Sequence, residues 1–201
     1  MSENPAFTED QKQYLDGFLA GVASKHGIGL PNGAAPAPAG PGSGPDAIHR
    51  AAQDRAVAAG GTLVPEEQAK RDKHPFDIWA EIAANAAAGR FPGGLDVFRH
   101  KFHGLFYVAP NQDSFMLRLR LPGGILLAHQ AQGLADIAER FGGGYADVTT
   151  RANLQIREIG AAHPIDVLMA LDELGLTSRG AGADNIRNLT GSPTAASTRR
   201  S

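Results

Sequence analysis

The chain has 201 residues, 42% of them hydrophobic and 20% charged, which fits a soluble globular protein of one ordinary domain with or without tails. Its net charge of −2 excludes a global attraction to nucleic acid or to an acidic membrane surface, and no stretch approaches the ~20 apolar residues of a membrane helix. The absence of cysteine excludes disulfides, thiolate catalysis and any cysteine-ligated cluster within this polypeptide.

Met1 to Asp10 holds neither a basic patch nor an apolar run, so the sequence predicts no secretory leader and a cytoplasmic location. Thr8-Glu-Asp-Gln11 has the form of a capping box, and Tyr14, Leu15, Phe18, Leu19 and Val22 follow at helical spacing. These predict a helix to about Lys25, packed on the main body. Gly27 to Pro45 is dominated by Gly, Ala and Pro and reads as a mobile linker. Ala47 to Ala59 and Pro65 to Lys73 read as short, weak helices, and Asp77 to Ala88 as a stronger one that stops at Gly89.

From Asp96 the period changes. An irregular lead-in precedes a strand around Leu105, and Ser114 to Leu121 alternates clearly until Pro122-Gly-Gly124 ends it. Ala128 to Arg140 reads as a helix closed by Gly142-Gly-Gly144. Ala146 to Ile159 alternates again as one strand, and Pro164 to Leu174 is a helix with Gly175 just past its end. Strand, helix, strand and helix in succession predict a small α+β unit.

In a strand, residues i and i+2 share a face. Leu117, Leu119 and Leu121 therefore oppose Met116, Arg118 and Arg120. On the second strand Thr149, Arg151, Asn153, Gln155 and Arg157 oppose Thr150, Ala152, Leu154 and Ile156. If the strands are neighbours, one face carries up to four guanidiniums and no acid. Like charges across adjacent strands repel, so this face is either a solvated surface or a site for a bound polyanion, whose carboxylates or phosphates suit the planar fork of arginine. Asp184-Asn-Ile-Arg-Asn188, after the bend at Gly180 to Gly182, is a second polar candidate. The seven histidines show no metal-ligand spacing, and His100 and His103 suit surface or packing roles better than ligation.

Met116-Leu-Arg-Leu-Arg-Leu-Pro-Gly-Gly124, Thr149-Thr-Arg-Ala-Asn-Leu-Gln-Ile-Arg157 and Asp184-Asn-Ile-Arg-Asn188 resemble, in order, three motifs of the siroheme nitrite and sulfite reductases. Lys101-Phe-His-Gly104 resembles the segment before the first. The N-terminal helix and the threonine-rich middle motif resemble the ferredoxin-type assimilatory nitrite reductases most. Precorrin-3B synthases share this architecture. The resemblance implies a ferredoxin-like half-domain over 74–177, preceded by a helix over 1–26 and a linker over 27–73. It makes 178–201 the start of a siroheme and iron–sulfur domain.

The resemblance also implies siroheme, a macrocycle with eight carboxylates, a 4Fe-4S cluster, a ferredoxin-type electron donor, and nitrite or sulfite as substrate. Arg118 and Arg187 match the two arginines that the family presents to the substrate anion. Arg120, Thr149, Arg151, Asn153, Gln155 and Arg157 fall where cofactor-binding residues are expected, with no metal ligand among them. The family's cluster cysteines are missing here. After Ser192-Pro-Thr-Ala195 the family pattern gives way to Ala196-Ser-Thr-Arg-Arg-Ser201, which a one-base loss from a family-like frame would encode, with a stop following. The sequence thus predicts a truncated piece, inactive alone and without stably bound cofactor. The alternatives are a stand-alone ferredoxin-like module that binds an anion or a partner chain, and a fragment that resembles a precorrin-3B synthase.

Overall fold

Burial of Leu117, Leu119 and Leu121 organises the sheet, because a pleated strand must send the alternating Met116, Arg118 and Arg120 to its other face. The computed structural model describes residues 46–108, 113–183 and 186–192. The helix expected from Thr8 and the linker from Gly27 to Pro45 lie outside these residues. The chain divides into two compact units, Met1–Gly61 and Thr62–Ser201. In the first, α1 (Ala47–Ala58) is the short helix expected there, and it ends in a turn at Gly60, where φ is 84°.

The second unit begins with α2 (Pro65–Asp72) and α3 (Trp79–Ala87), followed by α4 (Leu95–His100). A 3-10 turn over Lys101–His103 leads into β1 (Leu105–Val108), and β2 is Ser114–Arg118. The remaining elements are α5 (Ala128–Phe141), β3 (Ala146–Thr149), β4 (Asn153–Ile159) and α6 (Pro164–Glu173). The fold is α+β, as the strand and helix periods predict. The strands form one antiparallel sheet of order β1-β2-β4-β3. Strands β2 and β3 consequently run parallel, joined across α5 with β4 inserted between them, which is the split βαβ of ferredoxin-like folds.

One face of this sheet forms the core. Leu105, Phe115, Leu117, Leu119, Ile156 and Ile159 meet Leu134 and Ile137 of α5, Val167 and Leu171 of α6, and Ile82 of α3. A bulge makes the β4 contribution possible. Phe115 pairs with Ile159 but Leu117 with Ile156, so β4 carries one extra residue, and Glu158 takes it up at φ 61°. Without that residue Ile156 and Ile159 would face opposite sides; with it both are fully buried.

The stretch from Ala146 to Ile159 is a hairpin, which corrects the single strand that its alternation suggests. Thr149 pairs with Asn153, and the Ala152 N–H donates to the Thr149 carbonyl at 3.1 Å. The three-residue connection leaves Ala152 at φ 50°, a position where such loops normally use glycine. An alanine there costs about 1 kcal/mol and gives no turn signal in the sequence.

Beyond Arg118 the outer edge of β2 changes partner. The Arg118 N–H donates to Gly104 O and the Arg120 N–H to Thr177 O, each at 2.8 Å. The chain after α6 therefore takes over the edge that β1 leaves. Gly104 makes this exchange possible. Its φ is 78°, and a Cβ there would lie 2.6 Å from Ser178 Cβ and 2.7 Å from Arg118 O.

Candidate functional site

Arg118, the last residue of β2, stands on the face opposite the core and pairs with Gln155 of β4. The two strands are thus neighbours, as a shared cationic face requires. Its guanidinium lies 4.3 Å from the centroid of the Phe106 ring, and Nη1 donates to Ala181 O at 3.5 Å. Burial holds its pKa below the ordinary arginine value, and the charges of Arg187 and Arg151 push in the same direction. Arginine nonetheless stays charged in proteins. Three guanidiniums from three separate segments therefore share one electrostatic environment: the end of β2, the β3–β4 turn and the segment 186–189. No carboxylate among the described residues forms an ion pair with any of them.

Close backbone approach brings those segments together. The Gly123 N–H donates to Leu189 O at 2.7 Å. A Cβ on Gly124 would come within 2.9 Å of Ala152 Cβ, so the Pro122–Gly124 turn fits against the hairpin turn only as glycine. Asn188 completes the junction, its Nδ2 donating to Arg151 O at 3.0 Å and to Ala152 O at 3.2 Å.

The other expected site residues have local partners. Arg120 donates from Nη1 to Arg179 O at 3.3 Å, at the exchanged edge. Thr149 Oγ1 accepts from the Arg151 N–H at 3.4 Å and helps shape the turn. Asn153 is 3% exposed; its Nδ2 donates to Leu119 O and its Oδ1 accepts from the Leu154 N–H at 2.9 Å. Arg157 is ion-paired with Asp147 on β3 and donates from Nη2 to Gln155 Oε1 at 3.3 Å. The expectation of a cationic face without acid is corrected here. The hairpin turns the chain back on itself and places Asp147 beside Arg157, and it moves Arg151 from a strand face to a turn.

Sequence reasoning missed three contributors: Asp147, Phe106 and the side chain of Asn188. Asp147 was findable, because an uninterrupted strand over the whole stretch would be far longer than the usual 5–6 residues. No sequence pattern announces the contact of Phe106 with Arg118 or the reach of Asn188 across the turn.

Both candidate histidines serve packing. His100 Nδ1 lies 2.6 Å from Asp96 O, and His103 Nε2 lies 3.1 Å from Pro75 O. Among the described residues no cluster of three or more His, Asp or Glu is arranged to hold a metal ion. An open cleft of about 540 Å3 lies between α3 and α6, with Trp79, Met169 and Arg179 on its walls. None of Arg118, Arg151 and Arg187 lines it.

Residues 107–174 match the family described as the nitrite/sulfite reductase ferredoxin-like half domain. A ferredoxin–nitrite reductase of Leptolyngbya laminosa is 46% identical over 98 residues, 48% of this chain and 19% of that protein. One from Synechococcus elongatus is 43% identical over 145 residues, 70% of this chain and 28% of that protein. Among solved structures, the NirA protein of Mycobacterium tuberculosis superposes with a TM-score of 0.62 at 26% identity, covering 70% of this chain and 29% of its own. The chain spans between a fifth and three tenths of the length of these proteins.

Proposed function

We propose that this chain, which carries the ferredoxin-like half-domain of the nitrite and sulfite reductases, supplies the arginine-bearing wall of a pocket that binds siroheme by its carboxylates. In this reading Arg118 and Arg187 receive the substrate anion, nitrite or its chemical analogue sulfite. The observation that carries the proposal is geometric: Asn188, next to Arg187, hydrogen-bonds the carbonyls of Arg151 and Ala152, and Leu189 O accepts from Gly123 N–H just beyond β2. The charges of Arg151 and Arg187 both act on Arg118, and no carboxylate among the described residues is ion-paired with any of the three. A charge set of this kind is unfavourable empty and favourable around an anion.

The residues present fit a macrocycle edged with carboxylates. Arg151 on the hairpin turn and Arg120 at the exchanged edge would take carboxylates of the macrocycle. Thr149, Asn153, Gln155 and Arg157 contribute by building the hairpin that presents Arg151. When bound, siroheme supplies the iron at which the anion is reduced. Arg118, held over Phe106 and hydrogen-bonded to Ala181 O, keeps a fixed orientation. With Arg187 it draws the anion in and stabilises the negative charge that shifts as N–O or S–O bonds break. The chain has no cysteine and offers no thiolate to a 4Fe-4S cluster. Cluster and electron entry from a ferredoxin-type donor belong, in this proposal, to residues outside this sequence.

Titration of the chain with siroheme, followed by absorbance at low and high salt, tests the reading. Binding should weaken with salt, and Arg118→Ala, Arg151→Ala and Arg187→Ala should each lower affinity about fivefold. Unchanged binding by the triple variant would overturn the proposal.

A further inference from the structure

Asn188 follows Arg187 directly, yet its side chain reaches back to the turn that carries Arg151. Its Nδ2 donates to two consecutive carbonyls of that turn, Arg151 O and Ala152 O. The neighbouring Leu189 O accepts from Gly123 N. The segment 186–189 is therefore tied on one side to the Pro122–Gly124 turn by its backbone and on the other to the hairpin turn by one side chain. The Asn188 Oδ1 is enclosed and has no hydrogen-bond partner. The donor half of the amide is thus the half that the junction uses.

We infer that Asn188 is a positioning residue that sets the spacing between Arg151 and Arg187, the first through its hydrogen bonds and the second through the chain. The function this serves rests on the reading of the arginine cluster as an anion site. Ile186 and Leu189 are 69% and 62% exposed, so little apolar packing holds the segment. Arg118 is fixed independently by β2, Phe106 and Ala181. Loss of the amide should leave one arginine in place and release the other two from each other.

Two measurements on the full chain test this, and the first needs no ligand. Backbone 15N relaxation should show Arg151, Ala152 and Asn188 as ordered as the sheet in the wild type. In Asn188→Ala and in Asn188→Leu, which keeps bulk but no donor, positions 151, 152 and 187 should become mobile together while Arg118 does not. Unaltered relaxation in both variants overturns the inference, and wild-type behaviour of the leucine variant alone would show a space-filling role and overturns it too.

The second measurement uses metal-free uroporphyrin, an octacarboxylate, as probe. Asn188→Ala should weaken binding about tenfold, as much as the loss of two hydrogen bonds allows, although all the arginines remain. Loosening without any change in affinity overturns the positioning role. A wild-type chain that shows the tie but binds no probe overturns the anion-site reading and leaves the tie supported.

Discussion

Asp147 on β3 is ion-paired with Arg157 on β4, whereas Arg118, Arg151 and Arg187 have no ion-paired carboxylate among the described residues. Both partners are about a third or more exposed, so the pair contributes no more than about 1 kcal/mol to stability. Its greater consequence is for charge. Arg157→Ala should reduce probe binding less than twofold, whereas Arg118→Ala reduces it about fivefold. Equal losses in side-by-side titrations would place Arg157 in the site.

Arg151 and Arg187 repel Arg118 in the free chain. Replacing either with alanine should therefore leave stability unchanged or raise it by up to about 0.5 kcal/mol, while weakening polyanion binding. Urea denaturation paired with the same titration checks both halves. A destabilisation above about 1 kcal/mol would mean that the replaced arginine has a structural role.

Asn153 should behave in the opposite way. Its amide satisfies Leu119 O and the Leu154 N–H inside the sheet. Asn153→Ala leaves both groups without that partner and should cost about 1–3 kcal/mol. Denaturant midpoints measure the loss. A stable variant with impaired anion binding would show that Asn153 acts on the ligand instead.

His103 gives the fold a sensitivity to acid. Burial, with smaller contributions from the charges of Arg179 and His100, lowers its pKa from 6.5 to about 4. Burial also lowers the pKa of His100. Between pH 6.5 and 4 the unfolded chain binds a proton at position 103 that the folded chain does not. The contribution is intact above pH 6.5 and is lost as pH falls, by about 2 kcal/mol at pH 4.5. Denaturation at pH 7.5 and 4.5 should show this difference, and His103→Gln should reduce it. The same pH dependence in the variant would assign the effect elsewhere.

The sequence by itself determined the two faces of β2, while the strand order of the sheet came from the structure. Side chains alternate with a period of two in any strand, so Leu117, Leu119 and Leu121 could only be buried if Arg118 faced away, and this is legible without coordinates. The helices over Ala128–Phe141 and Pro164–Glu173 were legible for the same reason, from a period of 3.6. What periodicity cannot carry is a reversal made by residues with no turn signature, and Thr150-Arg-Ala152 made one by accepting a strained alanine. That single reversal put Asp147 beside Arg157 and lifted Arg151 onto a turn. The electrostatic environment that Arg118 shares with Arg151 and Arg187 joins positions far apart in the chain. Among the described residues, glycine-thin backbone contacts at Gly123 and Gly124 and the reach of Asn188 bring their segments together, and such contacts are a property of the folded chain in three dimensions.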